Sequence, residues 1–199
     1  MDLPGINAYQ SEAGYIYRYQ ECLCDMILAI HECDKPVIAA VNGVAVGGGF
    51  AITLACDIRI ASEKATFGAI FIKTGLSSCD VGTSFFLPHY VGASNAAELM
   101  LTGRVFNADE AFHMQLVSRV VPPEQLLESA LQVARTIAEN NEFGVWMTKK
   151  GLRGNLTAPS LRHAMEVENR TQVLGCMTGC MDEARSAFQQ GRKPHWKKL

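Results

Sequence analysis

The chain has 199 residues, is 48% hydrophobic and 19% charged, and carries a formal net charge of −2. That is a globular composition with room for a real core. The charge balance excludes nucleic acid or an anionic membrane surface as the main partner, because neither would meet a basic face.

No apolar run approaches the ~20 residues of a membrane-spanning helix. The opening "MDLPGINAYQ" lacks the basic and apolar regions of a secretory signal. The seven cysteines give no disulfide framework, which favours a reducing, intracellular compartment. "CLC", "HEC" and "CMTGC" lack the paired C-x2-C spacing of zinc sites, so no metal is expected. The ending "HWKKL" resembles a peroxisomal tripeptide but has Lys197 where Ser is typical; a plain basic tail is the alternative. Cytoplasm, mitochondrion and peroxisome all stay open.

In chain order, Ile16, Tyr19, Leu23, Met26, Ile27 and Ile30 fall at three- and four-residue spacings and predict an amphipathic helix. It ends near "ECDKP", where Pro36 forces extended backbone before it. "VIAAV", 37–41, predicts a buried strand. A glycine loop follows, then "FAITLAC" as helix and "DIRIA" as strand, a strand–helix–strand unit with a parallel pair. Residues 66–83 mix strand and turn signals and read as loop. "SFFLPHYVG" predicts a helix kinked or divided at Pro88. "NAAELMLTG" predicts a helix closed by Gly103. Asn107 with Glu110 three residues on predicts a helix start, and "LVSRVV" a short strand. From Pro122 onward helices are expected, the first striped by Leu126, Leu127, Ala130, Val133, Ala134 and Ile137, with others around 142–153, 160–175 and 182–190. Only three or four strands are visible, fewer than the ~5 of an ordinary sheet. The expected organisation is an α/β core over 1–121 and a helical region over 122–199.

The loop "NGVAVGGGFA" needs a reason for Gly47, Gly48 and Gly49, because glycine costs backbone entropy. A phosphate loop fails, since Gly49 stands where Lys must be. A dinucleotide fingerprint fails, since Ile52 stands at its third glycine. Two uses remain open. Bare N–H groups at a helix start admit a carbonyl oxygen closely, which is half of an oxyanion hole. Tight helix–strand packing is the other.

"KPVIAAVNGVAVGGGFAITLACDIRIASEKATF", "DVGTSFFLPHYVGASNAAELMLTGRVFNADEA" and "LVSRVVPPEQL" together resemble the crotonase superfamily, the enoyl-CoA hydratase/isomerase family. The resemblance implies a crotonase-like ββα spiral core with a helical C-terminal region, assembled as trimers or hexamers. It implies an acyl-CoA thioester substrate whose enolate is held by two backbone N–H groups, with coenzyme A part of the substrate and no separate cofactor. Gly48 would supply one N–H. Val44, Gly47, Phe71 and Trp196 would contact the substrate, Trp196 closing a pattern with Phe188 and Arg192 near the CoA adenine, where Lys193 or Lys197 could meet phosphate.

The chain departs from the usual hydratases at both catalytic glutamates, where Ala51 and Phe71 stand. Neither can activate water. Asp80 in "SSCDVGT" resembles the base of the dienoyl-CoA isomerase branch; a turn residue or cap of a helix starting at Val81 is the alternative. "MDLPG" resembles residues just after the family loop that gives the second N–H, so the core is expected to be N-terminally incomplete. Double-bond isomerisation of enoyl-CoA, or hydration, is the expected activity. A non-catalytic acyl-CoA-binding or assembly homologue is the alternative. No G-x-S-x-G elbow occurs, and the five histidines show no triad or metal spacing.

Overall fold

The computed structural model describes residues 13–198. The expectations for "MDLPG" and for the final tripeptide therefore lie, wholly or in part, outside the described residues. Two compact units divide the chain: residues up to Cys33 with Ala39–Leu126, and Asp34–Ile38 with Leu127 onward.

The first unit opens with α1 (Ala13–Glu32). The sequence stripe is only half used: Ile27 is buried and Leu23 and Ile30 pack on the core, while Ile16, Tyr19 and Met26 stay exposed. β1 (Ile38–Val41) and β2 (Val44–Val46) follow, then α2 (Gly48–Ala55), β3 (Ile58–Ser62) and β4 (Thr66–Gly68). A short 3-10 segment covers Ile70–Thr74. α3 (Thr83–Val91), α4 (Ala93–Thr102), β5 (Phe106–Asn107), α5 (Ala108–His113) and β6 (Arg119–Val121) complete the unit.

The strands form two sheets, ordered β1-β3-β6 and β2-β4-β5. The first two passes of the chain each leave one strand in each sheet, β1 with β2 and β3 with β4, while α5 separates β5 from β6 in the third. The expected strand–helix–strand unit is present, with β1 and β3 as neighbours, and β2 is the strand that reading lacked. β2, three residues long, lies between β1 and α2, pairs parallel with β4 (Ala45 opposite Phe67), and belongs to the other sheet. β3 runs parallel to β6, with Ala61 opposite Val120. β4 and β5 are antiparallel through Phe67 and Phe106. β2, β4 and β5 have only three, three and two residues, too few for a period-2 signal.

α2 is apolar on every side, and Phe50, Ala51, Leu54 and Ala55 are buried. Phe50 meets Phe67 and Phe106 at ring-centroid distances of 6.2 and 6.0 Å, tying the helix to β4 and β5 in tilted and edge-on geometries. Pro88 lies inside α3. Gly103 closes α4 in the left-handed region, where glycine carries no Cβ penalty. Asn107 caps α5 by accepting from the Glu110 N–H at 2.9 Å. The Glu110 carboxylate turns instead to Arg104, which also grips Glu98 at 2.6 Å.

One charged side chain organises the middle of this unit. Arg59 is 9% exposed. Its Nε and Nη1 donate to the Leu116 and Cys56 carbonyls, both at 2.7 Å. Its guanidinium lies 3.9 Å from the Tyr90 ring centre, a cation–π contact. The Tyr90 hydroxyl donates to the Leu54 carbonyl at 3.2 Å, and burial pushes its pKa up. Arg59 thus ties the end of α2, the β6 approach and α3 together.

The second unit holds α6 (Leu126–Ala138), α7 (Glu142–Asn155), α8 (Leu161–Met177) and α9 (Cys180–Gln189). Asn141 and Ser160 cap α7 and α8. Buried Lys149 donates to the Lys35 carbonyl at 2.9 Å, and Trp146 Nε1 to Asp34 at 2.8 Å. No helix among the described residues is long and apolar enough to cross a membrane.

Arg59→Met leaves two buried carbonyls without their charged donor. Bonds to charged donors are worth about 1.5–3 kcal/mol each, so a loss of about 3 kcal/mol in urea unfolding is expected, with Arg59→Lys between.

Candidate functional site

The glycine loop sits where β2 passes into α2. Gly47 has φ 54° and ψ −122°, a conformation open essentially to glycine alone. Its N–H donates to the Gly68 carbonyl at 3.0 Å, and its own carbonyl accepts the Ala51 N–H at 3.0 Å, the first helical bond. One residue therefore ends the strand and starts the helix. Gly48 and Gly49 occupy the first turn, whose N–H groups have no intrahelical acceptor. Both are exposed, and a Cβ at either would meet nothing within 4 Å. Packing inside this chain does not demand glycine at 48 or 49. The packing use of the triplet accounts for none of it, since even Gly47 is fixed by its φ rather than by space.

Around the loop, Phe71 is half-buried in the 3-10 segment, with its ring 3.7 Å from where a Gly47 Cβ would lie. Val44 is 77% exposed at the start of β2. Ala51, at the first lost glutamate, is buried within α2.

Asp80 lies in a tight turn before α3. Its carbonyl accepts the Thr83 N–H at 2.8 Å, and Val81 and Gly82 between them have φ 38° and 81°. Positive φ at a β-branched residue is a rare and costly arrangement, about 1–2 kcal/mol. Nor does α3 start at Val81. It starts at Thr83 with Gly82 as cap, so Asp80 does not cap a helix. Its Oδ1 accepts the Val81 N–H at 2.9 Å and also the Gln20 side-chain amide. Gln20 carries no sequence signal; it sits sixty positions away on α1. Thr83 Oγ1 is buried without a partner among the described residues. α2 packs against both α1 and α3, so the glycine loop and the Asp80 turn occupy adjoining elements.

Trp196 belongs to the second unit. Its Nε1 donates to the Glu139 carbonyl at 2.6 Å. With Trp146, Pro36, Ile38, Ile137 and Lys197 it lines a concavity of about 900 Å³ within that unit. Lys193 is paired with Glu139 at 3.1 Å. Glu183 accepts from Arg192 at 2.6 Å and from the His195 N–H at 2.6 Å, which fixes the tail next to Trp196. Those two partners, Arg192 first, hold the Glu183 pKa at about 2. Of the histidines, His89 and His113 bond carbonyls of their own helices at 2.7 Å.

The enoyl-CoA hydratase/isomerase family profile matches residues 6–198. The chain belongs to that family, the crotonase superfamily. It is similar to a probable enoyl-CoA hydratase of Mycobacterium tuberculosis, 42% identical over 181 residues, which are 90% of this chain and 64% of the relative. A crotonyl-CoA hydratase of Syntrophomonas wolfei is 36% identical over 167 residues, 84% of this chain and 64% of that protein. Among solved structures, a probable enoyl-CoA hydratase/isomerase from Mycobacterium abscessus superposes with TM-score 0.90 at 38% identity, covering 94% of this chain and 72% of the other. An enoyl-CoA hydratase from Bacillus anthracis gives TM-score 0.90 at 30% identity over 94% of this chain and 72% of the other. The chain thus has the crotonase fold, and it spans 64% of the length of each of those two enoyl-CoA and crotonyl-CoA hydratases.

Two outcomes test this geometry. Gly82→Ala places a Cβ 2.9 Å from the buried Phe86 ring at a φ of 81°; a loss of about 2 kcal/mol is expected in thermal unfolding, from left-handed backbone cost plus overpacking. For the tail, the depressed Glu183 pKa means its contribution is complete above pH 4.5 and lost as pH falls towards about 2. With Trp146→Phe, the fluorescence of Trp196 should shift to the red across that window, and in Glu183→Gln the shift should already be present at neutral pH.

Proposed function

We propose that this chain forms an enolate from an acyl-CoA thioester and uses it to move a double bond in an enoyl-CoA. The observation that carries the reading is the exposed first turn of α2, where Gly48 opens the helix with clear space beside it. In this reading the thioester oxygen lies against the Gly48 N–H, with the helix dipole behind it. Val44, Gly47 and Phe71 border the acyl thioester.

The Asp80 carboxylate takes a proton from the sp3 carbon beside the carbonyl of a 3-enoyl-CoA. The C–H electron pair forms a carbon–carbon double bond, and the carbonyl π pair moves to oxygen as the enolate. Return of the proton from Asp80 to the other end of the conjugated system restores the carbonyl and leaves Asp80 ionised again. Double bond and proton have moved, and nothing else is consumed.

Isomerisation is favoured over hydration because buried Ala51 and half-buried Phe71 carry no carboxylate to activate water. Hydration is the second reading, favoured by the names of the relatives above. Those names give the non-catalytic alternative no support. Two substrates separate the readings: conversion of a 3-enoyl-CoA to a 2-enoyl-CoA supports isomerisation, and conversion of a 2-enoyl-CoA to a 3-hydroxyacyl-CoA with the 3-enoyl-CoA left unchanged supports hydration.

Gly48→Pro removes the N–H at a helix position where proline is tolerated. Folding stability should change by less than about 1 kcal/mol, while turnover should fall about 10²–10³-fold, the usual loss for one oxyanion donor. Unchanged turnover in a folded variant would sink the reading.

Self-association through the C-terminal helices is part of the same proposal. Met177 on α8 and Phe188 on α9 are 80% and 88% exposed. Exposed apolar residues of this size on neighbouring helices mark an interface with further copies of the chain. Met177→Glu with Phe188→Glu should lower the mass measured by light scattering; an unchanged mass, or a monomeric parent chain, contradicts it.

A further inference from the structure

We infer that Gln20 is the positioning residue of Asp80, and that α1 serves to hold it there so that one carboxylate oxygen is fixed and the other is presented. The inference rests on the proposal that Asp80 is the proton carrier.

The geometry is specific to one oxygen. The Gln20 side-chain amide and the Val81 N–H both donate to Asp80 Oδ1. Among the described residues no donor reaches Oδ2. A carboxylate held this way cannot rotate about its Cβ–Cγ bond without giving up two hydrogen bonds. Oδ2 keeps its lone pairs for a proton from outside.

α1 is built to deliver the amide. Along residues 13–19 it is exposed, and Gln20 is its first half-buried position. Seven residues on, buried Ile27 lies on the same helical face. Its Cγ2 comes within 3.7 Å of where a Gly82 Cβ would be, inside the Asp80 turn. Eleven residues on from Gln20, the His31 ring meets Phe86 edge-on at 5.0 Å. Three points on one face of α1 therefore rest on the Asp80 turn and the start of α3. Packing at Ile27 and His31 sets the register, and the register sets Gln20. The left-handed Val81 completes the device. With Gly82 it folds the chain back so that the Thr83 N–H reaches the Asp80 carbonyl, a strained backbone kept where it positions a functional group.

The test has two readouts, one independent of turnover. In the NMR spectrum of the full chain, the Gln20 side-chain amide and the Val81 N–H should both move in Asp80→Ala. If the Gln20 amide does not move, the contact and the inference fail. The second readout is a double-mutant cycle on isomerisation at saturating enoyl-CoA. Gln20→Leu should lower kcat at least 10-fold with KM nearly unchanged, and should cost nothing further once Asp80→Asn is present. Gln20→Glu, of the same length but unable to donate when ionised, should lose at least as much. An equal loss from Gln20→Leu in both backgrounds, or no loss, overturns the positioning role. If Asp80→Asn turns over as fast as the parent chain, the proton-carrier reading fails, and the NMR readout alone then decides the contact.

Discussion

The constraint on which the architecture turns is the backbone of Gly47. At φ 54° it reverses the chain from β2 into α2 within one residue, with its N–H bound to Gly68 of β4 and its carbonyl to Ala51 of α2. Any side chain there would meet the steric penalty of that region. Because the reversal is so abrupt, α2 enters the core at once, and Phe50 can join Phe67 and Phe106. For the same reason the first N–H groups of α2 are left at the surface rather than under a loop. Core packing and an open donor site are two results of one turn.

The Asp80 turn follows the same logic before α3. Two successive left-handed residues and two donors on one oxygen keep a half-buried carboxylate in a single pose. Neither backbone strain nor the orphan hydroxyl of Thr83 helps stability. A fold retains such local costs where the position of a group matters more than its energy. The proposed chemistry asks for that: a fixed donor where negative charge develops, and a fixed acceptor where a proton leaves.

Much of this could be read in the sequence, and the misses have physical causes. α1 and α6 announced themselves through apolar stripes and α4 through its end signal, Gly103. Asn107 was legible because a cap bonds only three residues away. The glycine triplet stood out because nothing local explains it. β2, β4 and β5 were missed because two or three residues carry no period. Arg59 was missed because a buried guanidinium looks like any other charge until its acceptors, Cys56 and Leu116, are placed. Gln20 was missed because its partner is brought to it only by the packing of α1 on α2 and on the turn before α3. The length of chain was legible for helices and for neighbours, and silent for contacts closed by the fold.

The most direct measurement is proton exchange without any double bond to move. The chain is incubated in D2O with a saturated acyl-CoA, and the thioester is followed by mass spectrometry while its binding is measured in parallel. Deuterium gained on the carbon beside the carbonyl is expected, because an enolate held at Gly48 and a carboxylate at Asp80 require it. A thioester that binds and gains none would contradict the account.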